Sequence, residues 1–266
     1  MNTINLGFSP CPNDTFIFHG LVNGAIDTGD IRFVEQLMDI DELNNAAEIG
    51  AMDMIKVSFH AYMYLIDNYR LLSSGGAMGR GCGPLIIARE KLQMSDLLGK
   101  RIAIPGKLTT AYLLLKLYNP ELSRNIIVMP FNKIMTSVVN GEADAGLIIH
   151  ESRFTYKSYG LHSIIDLGQW WEGETGLPIP LGCIIIKKSI STYQCINDLL
   201  RESVLYAMNN RDKTMDYVKI HSTEMADEVI NSHIDLYVNE YTVNYGEIGV
   251  KAIDTLFNRA DSLNLI

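Results

Sequence analysis

Short β-rich apolar runs separated by helical patterns recur through the first two thirds of this chain, and no other feature constrains its fold as tightly. The runs cover residues 4–8, 31–36, 54–57, 85–88, 101–104, 126–129, 145–149 and 181–186. Strands spaced by helices of this length imply right-handed βαβ units and a mostly parallel sheet, the mark of an α/β protein. Past about residue 188 the pattern changes to long amphipathic stretches over 198–209, 224–238 and 246–259. Apolar residues at helical spacing there predict a helical C-terminal cover.

Glycine and proline flank two of the runs. Gly81-Cys82-Gly83-Pro84 precedes the run at 85–88, and Leu177-Pro178-Ile179-Pro180-Leu181-Gly182 leads into the run ending at 186. The roughly one hundred residues between them hold their own βαβ pattern, as an inserted domain would. The expected layout is a discontinuous larger α/β domain of residues 1–85 and 186–266 and an inserted smaller α/β domain of residues 86–185. A two-stranded hinge would join them, with a ligand cleft between. A single uninterrupted Rossmann-like sheet is the competing layout.

With 266 residues and 47% hydrophobic content, the chain can bury a full core. A formal charge of −9 and no cluster of Lys and Arg argue against a nucleic-acid partner. No apolar run reaches the roughly 18 residues of a membrane span, and the opening MNTINLGFSPCPND has no basic stretch followed by a long apolar one. A cytoplasmic protein without membrane contact is expected. Cys11, Cys82, Cys183 and Cys195 form no CxxC pair and no metal-ligand spacing, so neither zinc nor a disulfide framework is expected. The glycines around Arg80 do not fit GxGxxG, and Gly106-Lys107 does not sit in a Walker A loop. No nucleotide cofactor is expected.

Several polar groups sit where strands end, the edge at which open α/β sheets bind ligands. The run at 145–149 delivers His150 into a polar loop, and imidazole titrates in the range a general base needs. A histidine capping a strand would look the same. Ser9-Pro10-Cys11-Pro12-Asn13-Asp14 follows the first strand; Asn13 or Asp14 can cap the next helix and leave backbone N–H groups facing the cleft. Lys56-Val57-Ser58 ends another strand, with Ser58 either a cap or a ligand donor. Thr109 and Thr110 open a helix after a glycine turn, where paired hydroxyls and free amides suit a carboxylate or phosphate. Arg80 is a further candidate anion contact. Cys11 reads as a buried thiol, since no histidine is near it in sequence. His19 and Trp170-Trp171 read as packing groups, Glu142 and Asp144 as a solvated turn. Glu151 is set aside because strand neighbours point to opposite faces.

Five runs, SPCPNDTFIF from Ser9, SGGAMGRGCGPL from Ser74, PGKLTTAYLLL from Pro105, GLIIHESRFTY from Gly146 and DLGQWWEGETGLPIPLG from Asp166, together resemble the 1,4-dihydroxy-6-naphthoate synthase family. These are the cyclic dehypoxanthine futalosine lyases of the futalosine route to menaquinone. The similarity continues into Ala226-Asp227-Glu228-Val229-Ile230 and so covers nearly the whole chain. It implies a fold like that of periplasmic binding proteins. It also implies His150 as proton acceptor, substrate contacts at Lys56, Val57, Ser58, Thr109 and Thr110, and a reaction without metal or other cofactor. His60 is not part of the family motif and receives no role.

The implied chemistry is a carbon–carbon cleavage that frees the aromatic naphthoate and dihydroxyacetone, begun when a base removes a substrate proton. Two other readings share the fold: a small-molecule-binding protein without catalysis, and chorismate dehydratase of the same pathway. Turnover separates the first from an enzyme, and the dehydration product of chorismate marks the second.

Overall fold

The computed structural model describes residues 2–222 and 226–265. Its strands are β1 (Asn2–Phe8), β2 (Ile31–Leu37), β3 (Met54–Ser58), β4 (Tyr69–Leu71), β5 (Ala77–Gly79), β6 (Leu85–Ala88), β7 (Ile102–Ile104), β8 (Ile126–Val128), β9 (Ala145–Ile148), β10 (His162–Asp166) and β11 (Ile179–Lys187). They form two sheets rather than one. The first has the order β2-β1-β3-β11-β4 with β5 also paired to β11, and the second the order β10-β6-β9-β7-β8. The single-sheet layout is therefore excluded, and the architecture is the expected α/β one in two lobes.

Neither sheet is mostly parallel. β1 pairs parallel with β2 and β3, and β7 with β8 and β9. The remaining pairings are antiparallel, and they involve the strands next to the two crossings between sheets: β11 against β3, β4 and β5, and β6 against β9 and β10. A strand that arrives from the other lobe enters without a crossover helix, so the parallel rule for βαβ units does not bind it. β11 lies wholly in the first sheet from Ile179 onward.

Strands β4, β5 and β10 escape the sequence pattern because two have three residues and the third, His162–Asp166, is an edge strand with a register shift. The crossing at Gly83 is close. A Cβ added there would run into the backbone of Gly168, at the start of the Leu167–Thr175 helix. Asp166 caps that helix by accepting from the N–H groups of Gly168 and Gln169.

The helical tail holds Tyr193–Asn209, Arg211–His221, Asp227–Tyr237 and Gly246–Ser262 as its longer helices. The helix expected to start at Glu224 begins at Asp227, Glu224 itself lying outside the described residues; the Arg211–His221 helix has a weak apolar stripe and was not anticipated. The tail covers the first sheet: Ile196, Leu200 and Val204 pack in one core with Leu6, Phe8, Ile184 and Ile186. Val57 and Ile185 belong to the core shared by both lobes, whereas Ile87, Ile134 and Val138 form a separate core in the second.

Candidate active site

Lys56 and Ser58 point from the same face of β3 because side chains alternate along a strand. Val57, between them, turns into the hydrophobic core. Lys56 Nζ lies 2.7 Å from Asp14 Oδ1, and both side chains are almost wholly inaccessible, at 4% and 3% exposure. Asp14 sits in the first turn of the Pro12–Val22 helix, whose N-cap position is Cys11. Its carboxylate does not cap that helix, nor does Asn13. It accepts from Ser9 Oγ at 2.7 Å, from Ser9 N at 3.3 Å and from Asn13 Nδ2 at 2.8 Å. The charge pair is thus saturated with donors, the condition under which burial of two ions is tolerated.

Asn13 continues the network into the tail, since its Oδ1 lies 2.9 Å from His233 Nε2. An amide oxygen only accepts, so His233 carries its proton on Nε2. Burial holds the His233 ring well below the ordinary histidine range, and it stays neutral. No signal in the sequence ties a histidine of the C-terminal region to the first βα turn.

From the second lobe, β9 ends at Ile148 and His150 follows in the left-handed region at φ 56°. A non-glycine residue there is strained by about 1–2 kcal/mol and reads as a functional constraint. His150 lies between Phe131, with ring centroids 5.1 Å apart, and His233, parallel at 6.2 Å. Its Nδ1 is 3.5 Å from Cys11 Sγ. Burial is the main cause that lowers its pKa to about 4, with Asp14 opposing and Lys56 assisting. At neutral pH the imidazole is uncharged and able to take a proton.

Cys11 is no thiolate. Burial first, then the carboxylates of Glu151 and Asp14, push its pKa well up. Glu151 lies beyond the strand end, at the N-cap position of the Ser152–Thr155 turn, so the alternation used to set it aside does not apply. Burial raises its pKa to about 7, and its Oε2 has no partner.

The threonine pair is built as a rigid turn. Thr109 caps the Thr110–Tyr118 helix, its Oγ1 accepting from Tyr112 N and donating to Gly106 O at 2.8 Å. Thr110 Oγ1 donates to Leu181 O at 2.6 Å, which ties the second lobe to β11. His60 braces both from behind: its N–H donates to Thr110 Oγ1 at 3.3 Å, and its Nδ1 lies 3.3 Å from Thr109 O. Asn44 holds Ser58 through its Oδ1 to Ser58 N at 2.9 Å and its Nδ2 to Ser58 Oγ.

These groups meet in one cavity of about 630 Å³, opening included, between the lobes. Asn13, Asp14, Lys56, Ser58, Thr109, Thr110 and His150 all line it, with Ser9, Tyr237 and the crossing residues Cys82 and Pro84. Apolar walls come from Ile40, Ala77, Ile149 and Leu181. Arg80 does not line it; half exposed, it donates to Gly176 O at 2.8 Å and faces Glu172. Asp144 is no free turn residue but holds Arg101 at 3.1 Å. Trp171 is fully buried and donates from Nε1 to Pro178 O, while His19 packs between Tyr206 and Tyr217. Among the described residues no three His, Cys, Asp or Glu side chains converge as metal ligands would.

A family model described as menaquinone biosynthesis matches residues 4–262. The chain is 43% identical over 267 residues to the 1,4-dihydroxy-6-naphthoate synthase of Thermus thermophilus, covering 100% of this chain and 96% of that one. It is 44% identical over 274 residues to the enzyme of the same name from Streptomyces coelicolor, covering 100% and 95%. A solved protein of Archaeoglobus fulgidus, 36% identical, superposes with a TM-score of 0.91 over 99% of this chain and 98% of its own. The alkanesulfonate-binding protein of Xanthomonas axonopodis matches at a TM-score of 0.71 over 100% of this chain and 93% of its own. At 15% identity that likeness concerns the fold alone, which is of the periplasmic-binding-protein kind. The sequence matches extend along the whole chain, and on them the chain belongs to the menaquinone-biosynthesis family, as a relative of the 1,4-dihydroxy-6-naphthoate synthases.

Proposed function

We propose that this protein is a carbon–carbon lyase that converts cyclic dehypoxanthine futalosine to 1,4-dihydroxy-6-naphthoate with release of dihydroxyacetone, using His150 as proton acceptor and no cofactor. The observation that carries the reading is a neutral imidazole on the wall of a cavity that both lobes line together with the Ser58 hydroxyl. Ser58 Oγ accepts from Asn44 and keeps its proton for a substrate carboxylate or hydroxyl, while Thr109 and Thr110 spend theirs on Gly106 O and Leu181 O and so fix the helix start that faces the substrate. Lys56 is committed to Asp14, and its charge is balanced before any ligand arrives.

In this reading substrate enters between the lobes and their closure brings the acidic proton to His150 and excludes water. Proton removal starts the fragmentation, and formation of the aromatic ring drives it forward. The four free cysteines suit a reducing cytoplasm. Incubation of the chelator-treated protein with cyclic dehypoxanthine futalosine, followed by liquid chromatography and mass spectrometry, tests the assignment. Formation of 1,4-dihydroxy-6-naphthoate supports it, and tight binding by folded protein without product refutes it.

A further inference from the structure

We infer that Cys11 is a positioning residue for His150: its sulfur accepts the Nδ1–H of the ring, and Nε2 is left without a proton on the cavity side. The inference deepens the base reading above and rests on it for the direction of this bond, but not for its test. Cys11 and His150 come together across 139 residues of sequence, 3.5 Å apart, with Cys11 only 4% exposed. Among the described residues His150 Nε2 has no protein partner, and it is not among the buried unpartnered atoms, so it is the nitrogen open to a ligand.

Direction follows from which ring nitrogen faces the cavity. Ser9 spends its single hydroxyl proton on Asp14 Oδ2 at 2.7 Å and accepts the Cys11 backbone N–H at 3.4 Å, which seats Cys11 in the turn. Nδ1 faces the Cys11 sulfur and Nε2 is open; a neutral ring that takes its proton at Nε2 carries its own on Nδ1 and directs it at that sulfur. Reversed, with S–H donating to Nδ1, the proton would sit on Nε2 and His150 could not take one from substrate there.

The test uses the ligand-free full-length protein labelled with ¹⁵N at histidine. Long-range ¹H–¹⁵N correlation spectra at neutral pH report which nitrogen of each ring is protonated, and His150→Asn assigns the signal. We expect His150 as the Nδ1–H form in the wild type, and a shift toward the Nε2–H form in Cys11→Ala. Ser9→Ala, which removes the acceptor of the Cys11 backbone N–H and so unseats the sulfur, should move the tautomer in the same sense if Cys11→Ala folds poorly. With the proposed substrate, kcat of Cys11→Ala should fall on the order of tenfold with KM nearly unchanged, and Cys11→Ser should recover most of it. A wild-type Nε2–H signal, or a tautomer indifferent to both substitutions, overturns the inference. The expected spectra from a protein that never releases the naphthoate would leave it standing and refute the lyase reading instead.

Discussion

Lys56 and Asp14 form an ion pair at 2.7 Å that is shut off from solvent and forms part of the cavity wall. It spans 42 residues of sequence and fixes the first βα turn to β3. Removing one partner strands the other charge in the protein interior. Lys56→Met should lower unfolding stability by about 3–5 kcal/mol. In denaturant titrations the double variant Lys56→Met with Asp14→Asn should lose less than the two single losses added together.

His150 tests chemistry and backbone separately. Its φ of 56° is accessible to asparagine at little cost but strains alanine. His150→Asn should keep wild-type stability while turnover drops by about 10²–10⁴-fold, the range of a lost general base. His150→Ala should lose the same activity and about 1 kcal/mol of stability as well. Thermal unfolding beside steady-state kinetics separates the two effects.

Acid should destabilise the fold well above the carboxylate range. Burial lowers the pKa values of His150 and His60 to about 4, and that of His233 further, against an ordinary value of 6.5. Between these limits the unfolded chain binds more protons, so stability is full above pH 6.5 and is lost as pH falls toward 4. Glu151 acts the other way, since burial lifts its pKa to about 7, above the ordinary value of 4.5, and favours the folded state on acidification. His19, also lowered by burial, joins the histidines, and Asp39 and Asp41, raised by burial, join Glu151, so four histidines act against three carboxyls. Denaturation midpoints measured from pH 7.5 to 4.5 should fall, and the acid limb of kcat/KM should lie below pH 5 rather than near 6.5.

Gly83 and Gly168 meet backbone to backbone where the chain leaves the first lobe. A methyl group on either one has nowhere to go. Gly83→Ala should cost about 1–3 kcal/mol by overpacking, measured by denaturant unfolding, whereas Gly173→Ala, with open space around it, should be neutral or better.

Much of this site is legible in sequence because its parts are local. Thr109 and Thr110 declare themselves by a strand, a glycine turn and a helix start, and Lys56 and Ser58 by alternation at a strand end. His150 stands at the end of an apolar run. What stays hidden is set by distance along the chain: Cys11 meets His150 across 139 residues, and His233 meets Asn13 across 220. Strand alternation sets Glu151 aside, but that rule stops where the strand stops, three residues earlier at Ile148. His60 was read without a role because its task is to hold backbone and hydroxyl groups of the threonine turn, which no motif records. The antiparallel pairing of β6 and β11 stays hidden because those strands arrive from the other lobe rather than through a crossover helix, and β4 and β5 because three residues carry too little pattern.

The most direct test is the single-turnover rate of 1,4-dihydroxy-6-naphthoate formation from cyclic dehypoxanthine futalosine, compared between wild type and His150→Asn in chelator-treated buffer. We predict rapid product release by the wild type, and a rate at least about a hundredfold lower for the variant with substrate affinity retained. Equal rates in the two proteins would contradict His150 as the base, and no product from either would contradict the lyase assignment itself.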